Sequence, residues 1–393
     1  MRTLDPPTVD RDVPAALALV LDDLLGRRLE EARALEGIFA ADIAGRVAAF
    51  TARGGRRRRS QLLWWAMRAC GGGGDETETA LLTAAAVELV QTCALVHDDV
   101  MDGSSMRRGE PAVHDAVDRQ YGTSGRPRPL VTLGGSAAIL VGDLALTWAD
   151  DTFAEALLTS PHSLALGRQW RAMRTEMIAG QYLDVHGQAT NAHSPGRAIR
   201  TAILKTARYS AVHPLVIGAL LAGAGLETVR GLSRAGLCAG IAFQLHDDLQ
   251  GAFGDPGTTG KPAGDDVRAG KATYLMAVGR EMCARRGDSD GMRLLETVVG
   301  CPTATDEQVR QVLDLLVAHG ARAHVTARVE RLCERAVRVL RGAAPVQQPA
   351  EHVARLLLDA GGVRLPGRSA VGGPCDAGRT DPGRTAVLTG RAR

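Results

Sequence analysis

Between Thr77 and His97 the chain runs through an apolar stretch rich in Ala and Leu, with no Gly or Pro to interrupt it. That length exceeds an ordinary strand and predicts a buried helix. Phe, Trp and Tyr make up only 3% of the residues. Strands draw on aromatic and β-branched side chains, whereas Ala, Leu, Arg and Glu favour helices, so the chain is expected to be all-α.

Apolar positions at helical spacing (Leu17, Val20, Leu21, Leu24, then Leu35 and Ile38) predict a long first helix over 14–50, broken at Arg53-Gly54-Gly55. Further helical patterns cover 61–70, 111–121, 130–158, 161–187, 195–226 and 227–253, and resume after a Gly/Pro/Asp-rich loop at 254–270, with Asp306 as an expected N-cap. No repeat or internal linker interrupts them. One helical domain over 14–360 is expected, with a disordered N-terminus at 1–13 and a disordered Gly/Arg-rich tail at 361–393.

The bulk numbers exclude several classes. Hydrophobic residues at 45% and charged residues at 23% are ordinary globular usage. A net charge of +3 from scattered basic residues gives no electrostatic basis for binding nucleic acid. Seven widely spaced cysteines without a C-x-x-C pair read as reduced thiols in a cytoplasmic protein, with neither a disulfide framework nor a zinc site. The first residues carry acids and prolines rather than a signal peptide, and no uninterrupted apolar run reaches the ~18 residues a membrane span needs, so no transmembrane segment is expected. Of 47 basic residues only three are lysine, Lys205, Lys261 and Lys271.

Chemistry concentrates in three places. Asp98-Asp99-Val100-Met101-Asp102 closes the apolar helix. Asp98 and Asp102, four apart, share a helix face with Cβ atoms about 5 to 6 Å apart. Their charges repel unless a cation lies between them, and oxygen ligands with room for water and phosphate suit Mg²⁺. Arg107 and Arg108 follow, with guanidinium forks that match diphosphate oxygens. The second place is Phe243-Gln244-Leu245-His246-Asp247-Asp248, another acidic pair ending an apolar helix, followed by Gly260-Lys261, Asp265-Asp266 and Gly270-Lys271. Lys205-Thr206 lies mid-helix, where the lysine either snorkels to water or reaches the same acidic site. A solvated helix end accounts for one such acidic pair more easily than for two. The third is Gly54-Gly55-Arg56-Arg57-Arg58-Arg59, either a solvated patch or the lining of a second diphosphate pocket.

These residues resemble the trans-type isoprenyl diphosphate synthases. The matching segments are L-V-H-D-D-V-M-D at 95–102, R-R-G at 107–109, F-Q-L-H-D-D-L at 243–249, G-K at 260–261 and 270–271, G-G-R-R-R-R at 54–59, G-Q-Y-L-D at 180–184 and K-T at 205–206. The resemblance implies one large helical bundle around a central cavity, three Mg²⁺ ions per active site, isopentenyl diphosphate and an allylic diphosphate as substrates, and a homodimer. It further implies Asp98, Asp102 and Asp247 as direct Mg²⁺ ligands, with Asp99 and Asp248 supporting them. Arg107, Lys205, Lys261 and Lys271 correspond to residues that hold the allylic diphosphate. Arg56, Arg59, Gln91 and Arg108 correspond to the isopentenyl diphosphate site. Thr206 and Gln244 correspond to positions whose oxygens face the developing carbocation. Three positions depart from the family pattern: Gly251 stands where an Asp usually ends the second motif, Arg56 where Lys is usual, and Gln91 where His is common.

Product length follows from helix geometry. One turn rises about 5.4 Å, roughly one isoprene unit, so Ala94 and Cys93 lie on the wall where a growing tail descends. Aromatics near these positions form a floor in short-chain relatives. Small residues here let the tail pass towards Leu89 and Val90, which favours a C20 product, geranylgeranyl diphosphate; farnesyl and longer products are the alternatives. A class I terpene cyclase is the nearest rival enzyme, but it would carry a different second metal motif and many cavity aromatics. A non-catalytic partner subunit would ordinarily lose its acidic motifs, and here only position 251 is lost.

Overall fold

The computed structural model describes residues 4–122, 132–190, 194–254 and 264–363. Folded chain begins earlier than the sequence predicts. Pro6–Arg11 forms helix α1, its first turn capped by Asp5, whose side chain accepts from the Thr8 amide at 3.0 Å, and Val9 is fully buried. Residues 6–11 are therefore part of the core, where 1–13 was expected to be disordered. Asp10 anchors them, accepting from Trp64 Nε1 at 2.8 Å and pairing with Arg68 at 2.9 Å.

The long helix expected over 14–50 is four segments: α2 (Val13–Leu35), a single turn α3 (Gly37–Phe39), a π-helical turn π1 (Ala40–Ala44) and α4 (Gly45–Arg53). Glu36 adopts extended backbone and caps the restart. Helix α5 (Arg58–Ala69) leads to α6 (Glu76–Asp102), which contains the apolar run. Glu76 and Glu78 suit the positive end of its dipole, and Gly103, in the left-handed conformation, ends it just after the first acidic motif. By length and hydropathy α6 is apolar enough to cross a bilayer, yet 83% of that stretch is buried inside the fold, as befits a core helix.

Two short antiparallel strands, β1 (Met106–Arg107) and β2 (Glu110–Pro111), pair Met106 with Pro111 and Arg107 with Glu110. They fold Arg107 back towards the end of α6. Then follow α7 (Val113–Tyr121), α8 (Leu133–Leu157), α9 (Ser163–Ala189), α10 (Pro195–Thr201), a second π-helical segment π2 (Ala202–Val212), α11 (His213–Leu221) and α12 (Leu226–Phe253). The remainder is α13 (Asp265–Arg268), α14 (Tyr274–Arg286), α15 (Ser289–Val298), α16 (Asp306–Ala318), α17 (Ala321–Ala343) and α18 (Gln347–Ala360). The cap of α16 is Thr305, in a reciprocal capping box with Gln308, where Asp306 was expected; the hydroxyl reaches the third amide while Gln308 returns to the cap amide.

Helix α6 packs chiefly on α8, with α2, α4, α5 and α11 around it, while α12 packs on α17 and π2, and π2 also on α9. Leu63, Leu89, Met173, Leu215 and Leu232 are among the fully buried side chains at these contacts. Each contributes about 1.5–3 kcal/mol relative to an exposed position. Apart from the β1–β2 hairpin the packing among the described residues is helix on helix, and it brings the C-terminal ends of α6 and α12 to one side of the bundle.

Candidate active site

The last turn of α6 presents Asp98, Asp99 and Asp102. Asp98 Oδ1 accepts from Lys205 Nζ at 3.1 Å and Gln181 Nε2 at 2.9 Å, while its Oδ2 lies 3.4 Å from Arg107 Nη2. Burial alone would push this carboxyl up, but Lys205, Gln181 and Arg107 together hold it below the usual range. Asp99 is fully buried and grips Arg107 through its Nε at 2.8 Å and its Nη2. This tight pair keeps the guanidinium charged against the cost of burying it. Asp102 pairs with Lys271 at 3.5 Å, and its Oδ1 is buried without a hydrogen-bond partner. Burial and the neighbouring Asp98 charge push its carboxyl up.

Lys205 also pairs with Asp184 at 2.6 Å. Burial would lower its ammonium pKa, yet Asp184 and Asp98 outweigh that and hold it charged. The approach of π2 to α9 depends on Gly180: a Cβ there would lie 2.1 Å from the Lys205 amide nitrogen. Gln181 and Asp184, on the next turn, thereby reach the acidic cluster. Neither is singled out by residue type or spacing, although both lie in the G-Q-Y-L-D segment at 180–184.

On α12 the second acidic pair splits. Asp247 is exposed, whereas Asp248 is buried, accepting from Gln244 Nε2 at 2.9 Å and from the Tyr274 amide at 3.2 Å. Burial pushes Asp248 up to about 7. Thr206 Oγ1 donates to Gln244 Oε1 at 2.5 Å, so a relay runs from π2 through Gln244 to Asp248. Lys271 Nζ lies between Asp102, at 3.5 Å, and Asp266, at 3.7 Å, linking the first motif to the segment after the second. Lys261 lies outside the described residues.

The four arginines at 56–59 divide their work. Arg57 takes left-handed backbone at φ 49° and turns inward, where its Nη1 meets Glu88 Oε2 at 2.6 Å and its Nη2 donates to the Thr51 carbonyl at 2.6 Å. Ser60 donates to the other Glu88 oxygen at 2.6 Å. Arg58 reaches the Asp359 carbonyl at 3.4 Å. Arg56 is left exposed, and Arg59 lies over the Tyr209 ring at 4.4 Å, donating to Ser210 Oγ at 2.7 Å with its buried Nε unpartnered. Tyr209 donates in turn to Gln91 Oε1 at 2.9 Å, which ties Gln91 to Arg59. Arg108 lies over Phe50 at 5.4 Å, beside Gly55. Among the described residues no carboxylate forms an ion pair with Arg56, Arg59 or Arg108, whereas Arg57 and Arg107 are paired with Glu88 and Asp99.

Cys93 is buried in α6, its Sγ 3.7 Å from His97 Nδ1, and burial pushes the thiol up to about 12; Ala94 is half-buried beside it. Elsewhere Cys283, Asp288 and His319 approach one another, a grouping the sequence reading did not foresee. Two of the three are already engaged: His319 Nε2 with Asp288 at 2.7 Å, His319 Nδ1 with Arg286 at 2.6 Å, and Asp288 with the Gly291 amide at 2.9 Å.

Residues 42–316 match the polyprenyl synthetase family. A geranylfarnesyl diphosphate synthase of Aeropyrum pernix is 30% identical over 286 residues, 71% of this chain and 81% of that one. A (2E,6E)-farnesyl diphosphate synthase of Mycobacterium tuberculosis is 33% identical over 64% of this chain, which spans 65% of that relative's length. The crystal structure of a geranylgeranyl pyrophosphate synthase from Corynebacterium glutamicum, complexed with isoprenyl diphosphate and magnesium, superposes with a TM-score of 0.80 at 32% identity, over 88% of this chain and 99% of that one.

Proposed function

The chain belongs to the polyprenyl synthetase family, and from that premise we propose that it condenses isopentenyl diphosphate with allylic diphosphates to give geranylgeranyl diphosphate. The observation that carries the reading is the acidic end of α6, tied through Lys271 to the segment that follows the second acidic motif, together with separate arginines that have no carboxylate partner among the described residues. Two diphosphates need two such places.

The residues present fit Mg²⁺. Asp102 Oδ1 is buried and unpartnered, Asp98 lies on the same helix face, and the donor set is hard oxygen. Asp98, Asp102 and Asp247 would hold the ions, three per site by resemblance, with Asp99 and Asp248 in support. Bound there, Mg²⁺ would neutralise diphosphate oxygens and stabilise the charge that develops on the leaving group.

The protein side chains supply the rest. Arg107, Lys205 and Lys271, with Lys261 by resemblance, hold the allylic diphosphate and add fixed positive charge where its leaving group departs. Thr206 donates its proton to Gln244, which leaves hydroxyl lone pairs to face the allylic carbocation. Arg56, Arg59, Arg108 and Gln91 hold isopentenyl diphosphate so that its double bond attacks that cation; the released diphosphate takes the final proton. Small side chains at Cys93 and Ala94 support a C20 product. Exposed Ile139 and Leu140 on α8, and Ile178 and Tyr182 on α9, support a homodimer, and the free cysteines among the described residues support a reducing, cytoplasmic setting.

Incubating the purified protein with Mg²⁺, isopentenyl diphosphate and, separately, C5, C10 and C15 allylic diphosphates tests this directly. A dominant C20 alcohol after dephosphorylation is expected by mass spectrometry. C15 alone, or longer products, would overturn the chain length and keep the reaction; no prenyl alcohol would overturn the reaction.

A further inference from the structure

Cys283, Asp288 and His319 come from three elements that carry none of the residues assigned above to substrate or Mg²⁺: the last turn of α14, the cap of α15 and the C-terminal end of α16. One ligand atom from each lies within 4.8 Å of the other two. The backbone builds this cluster. Gly287, in left-handed conformation at φ 67°, ends α14 and reverses the chain, so that the Asp288 amide donates back to the Cys283 carbonyl at 3.1 Å. The Gly291 amide then fixes Asp288 Oδ1 at 2.9 Å, which leaves Oδ2 aimed at His319 Nε2 at 2.7 Å. Cys283 closes the inner side and is buried, while Asp288 and His319 are partly exposed and leave a way in from solvent.

We propose that Cys283, Asp288 and His319 form a site for a transition-metal dication of the Zn²⁺ class, separate from the Mg²⁺ site. Thiolate, imidazole and carboxylate are donors that such ions take, whereas Mg²⁺ keeps to oxygen. The thiolate and carboxylate charges together neutralise the ion, and a water completes the fourth position. A tetrahedral ion with bonds of about 2.0–2.3 Å holds its donors roughly 3.3–3.7 Å apart, so loading draws the sulfur in and widens the His319–Asp288 contact by well under an ångström. Arg286 Nη1 donates to His319 Nδ1 at 2.6 Å, which places the imidazole proton on Nε2, facing Asp288. The ion moves that proton to Nδ1 and sends the thiol proton to solvent, and the exposed Arg286 withdraws. Bound there, it ties the ends of α14 and α16 to the cap of α15. Residue spacing gives no sign of the site, since His319 lies 31 positions beyond Asp288 on another helix end.

The test uses the full-length, reduced protein with Co²⁺ as the probe, Mg²⁺ in excess, and near-ultraviolet and visible absorption as the readout. A thiolate-to-cobalt charge-transfer band reports a sulfur ligand, which neither acidic motif can provide. The band is expected to saturate at one Co²⁺ per chain, to be bleached by Zn²⁺, and to disappear in Cys283→Ser. His319→Gln and Asp288→Asn, the second of which keeps a side-chain cap on α15, are expected to weaken Co²⁺ binding about tenfold or more, with thermal melting reporting that they are folded. Arg286→Met is expected to bind Co²⁺ more tightly, because His319 no longer has to shed the guanidinium. A wild-type protein without the band, the same band in Cys283→Ser, or wild-type affinity in folded His319→Gln and Asp288→Asn would overturn the inference.

Discussion

A row of four arginines looks uniform in sequence, yet Arg57 turns to meet Glu88 with both side chains nearly excluded from water. Left-handed backbone at Arg57 makes that turn, and the ion pair holds it. Removing one partner of such a buried pair typically costs about 3–5 kcal/mol, because the other charge stays buried without compensation. Glu88→Gln should therefore lower the melting temperature markedly and raise KM for isopentenyl diphosphate more than it lowers kcat, as Arg56 and Arg59 lose their fixed loop. Unchanged melting and unchanged KM would show that the loop does not depend on Glu88. Arginine at four successive positions is readable as a charged loop; which one folds inward is not, since that follows from where α6 brings Glu88.

At the scale of elements, π2 carries side chains that reach two neighbourhoods. Lys205 and Thr206 meet Asp98, Asp184 and Gln244, while Tyr209 and Ser210 meet Gln91 and Arg59, so one segment touches both the acidic cluster and the arginine group. π-Helical turns are rare and gather at functional sites. Their presence here is invisible to a periodicity read at 3.6 residues, which gave one helix over 195–226 where the structure has α10, π2 and α11. The close approach of α9 to π2 yields a prediction with an unusual sign. Replacing a mid-helix glycine with alanine ordinarily favours the helix by up to about 1 kcal/mol. At Gly180 the new methyl would meet the Lys205 backbone at 2.1 Å, and overpacking of that kind costs about 1–3 kcal/mol. Gly180→Ala should thus lower the melting temperature and withdraw Lys205 from Asp98, with a fall in kcat; a more stable and fully active variant would refute the contact. On α6, Ala94→Phe should place a ring across the descending tail and shorten the product to C15 or less by mass spectrometry, with ionisation of the primer unaffected. A continued C20 product would locate the floor elsewhere.

The whole molecule arranges α6 and α12 so that both acidic ends meet on one side of the bundle. Its outer helices leave Leu140 and Ile178 more than half exposed, with Ile139 and Tyr182 nearby in sequence on the same helices. Large apolar residues in such exposed positions favour a second copy as their cover. Light scattering should give about twice the chain mass of 41.4 kDa, and Leu140→Glu should shift it towards the single-chain value. A wild-type monomer would remove the homodimer from the reading.

The sequence by itself determined the helical class, the positions of most helices and the identity of both acidic motifs, because these depend on local periodicity and on residue types at short spacing. It placed Asp98, Asp102, Asp247 and Asp248 on helices without orienting them. Tertiary structure alone decided that Asp248 turns into the core to cap Tyr274 while Asp247 stays exposed, that residues 6–11 bury Val9, and that Asp266 fills the space at Gly251. Each of these outcomes depends on which neighbouring backbone lies within a few ångströms, and contact between residues distant in the chain leaves no periodic trace in the sequence.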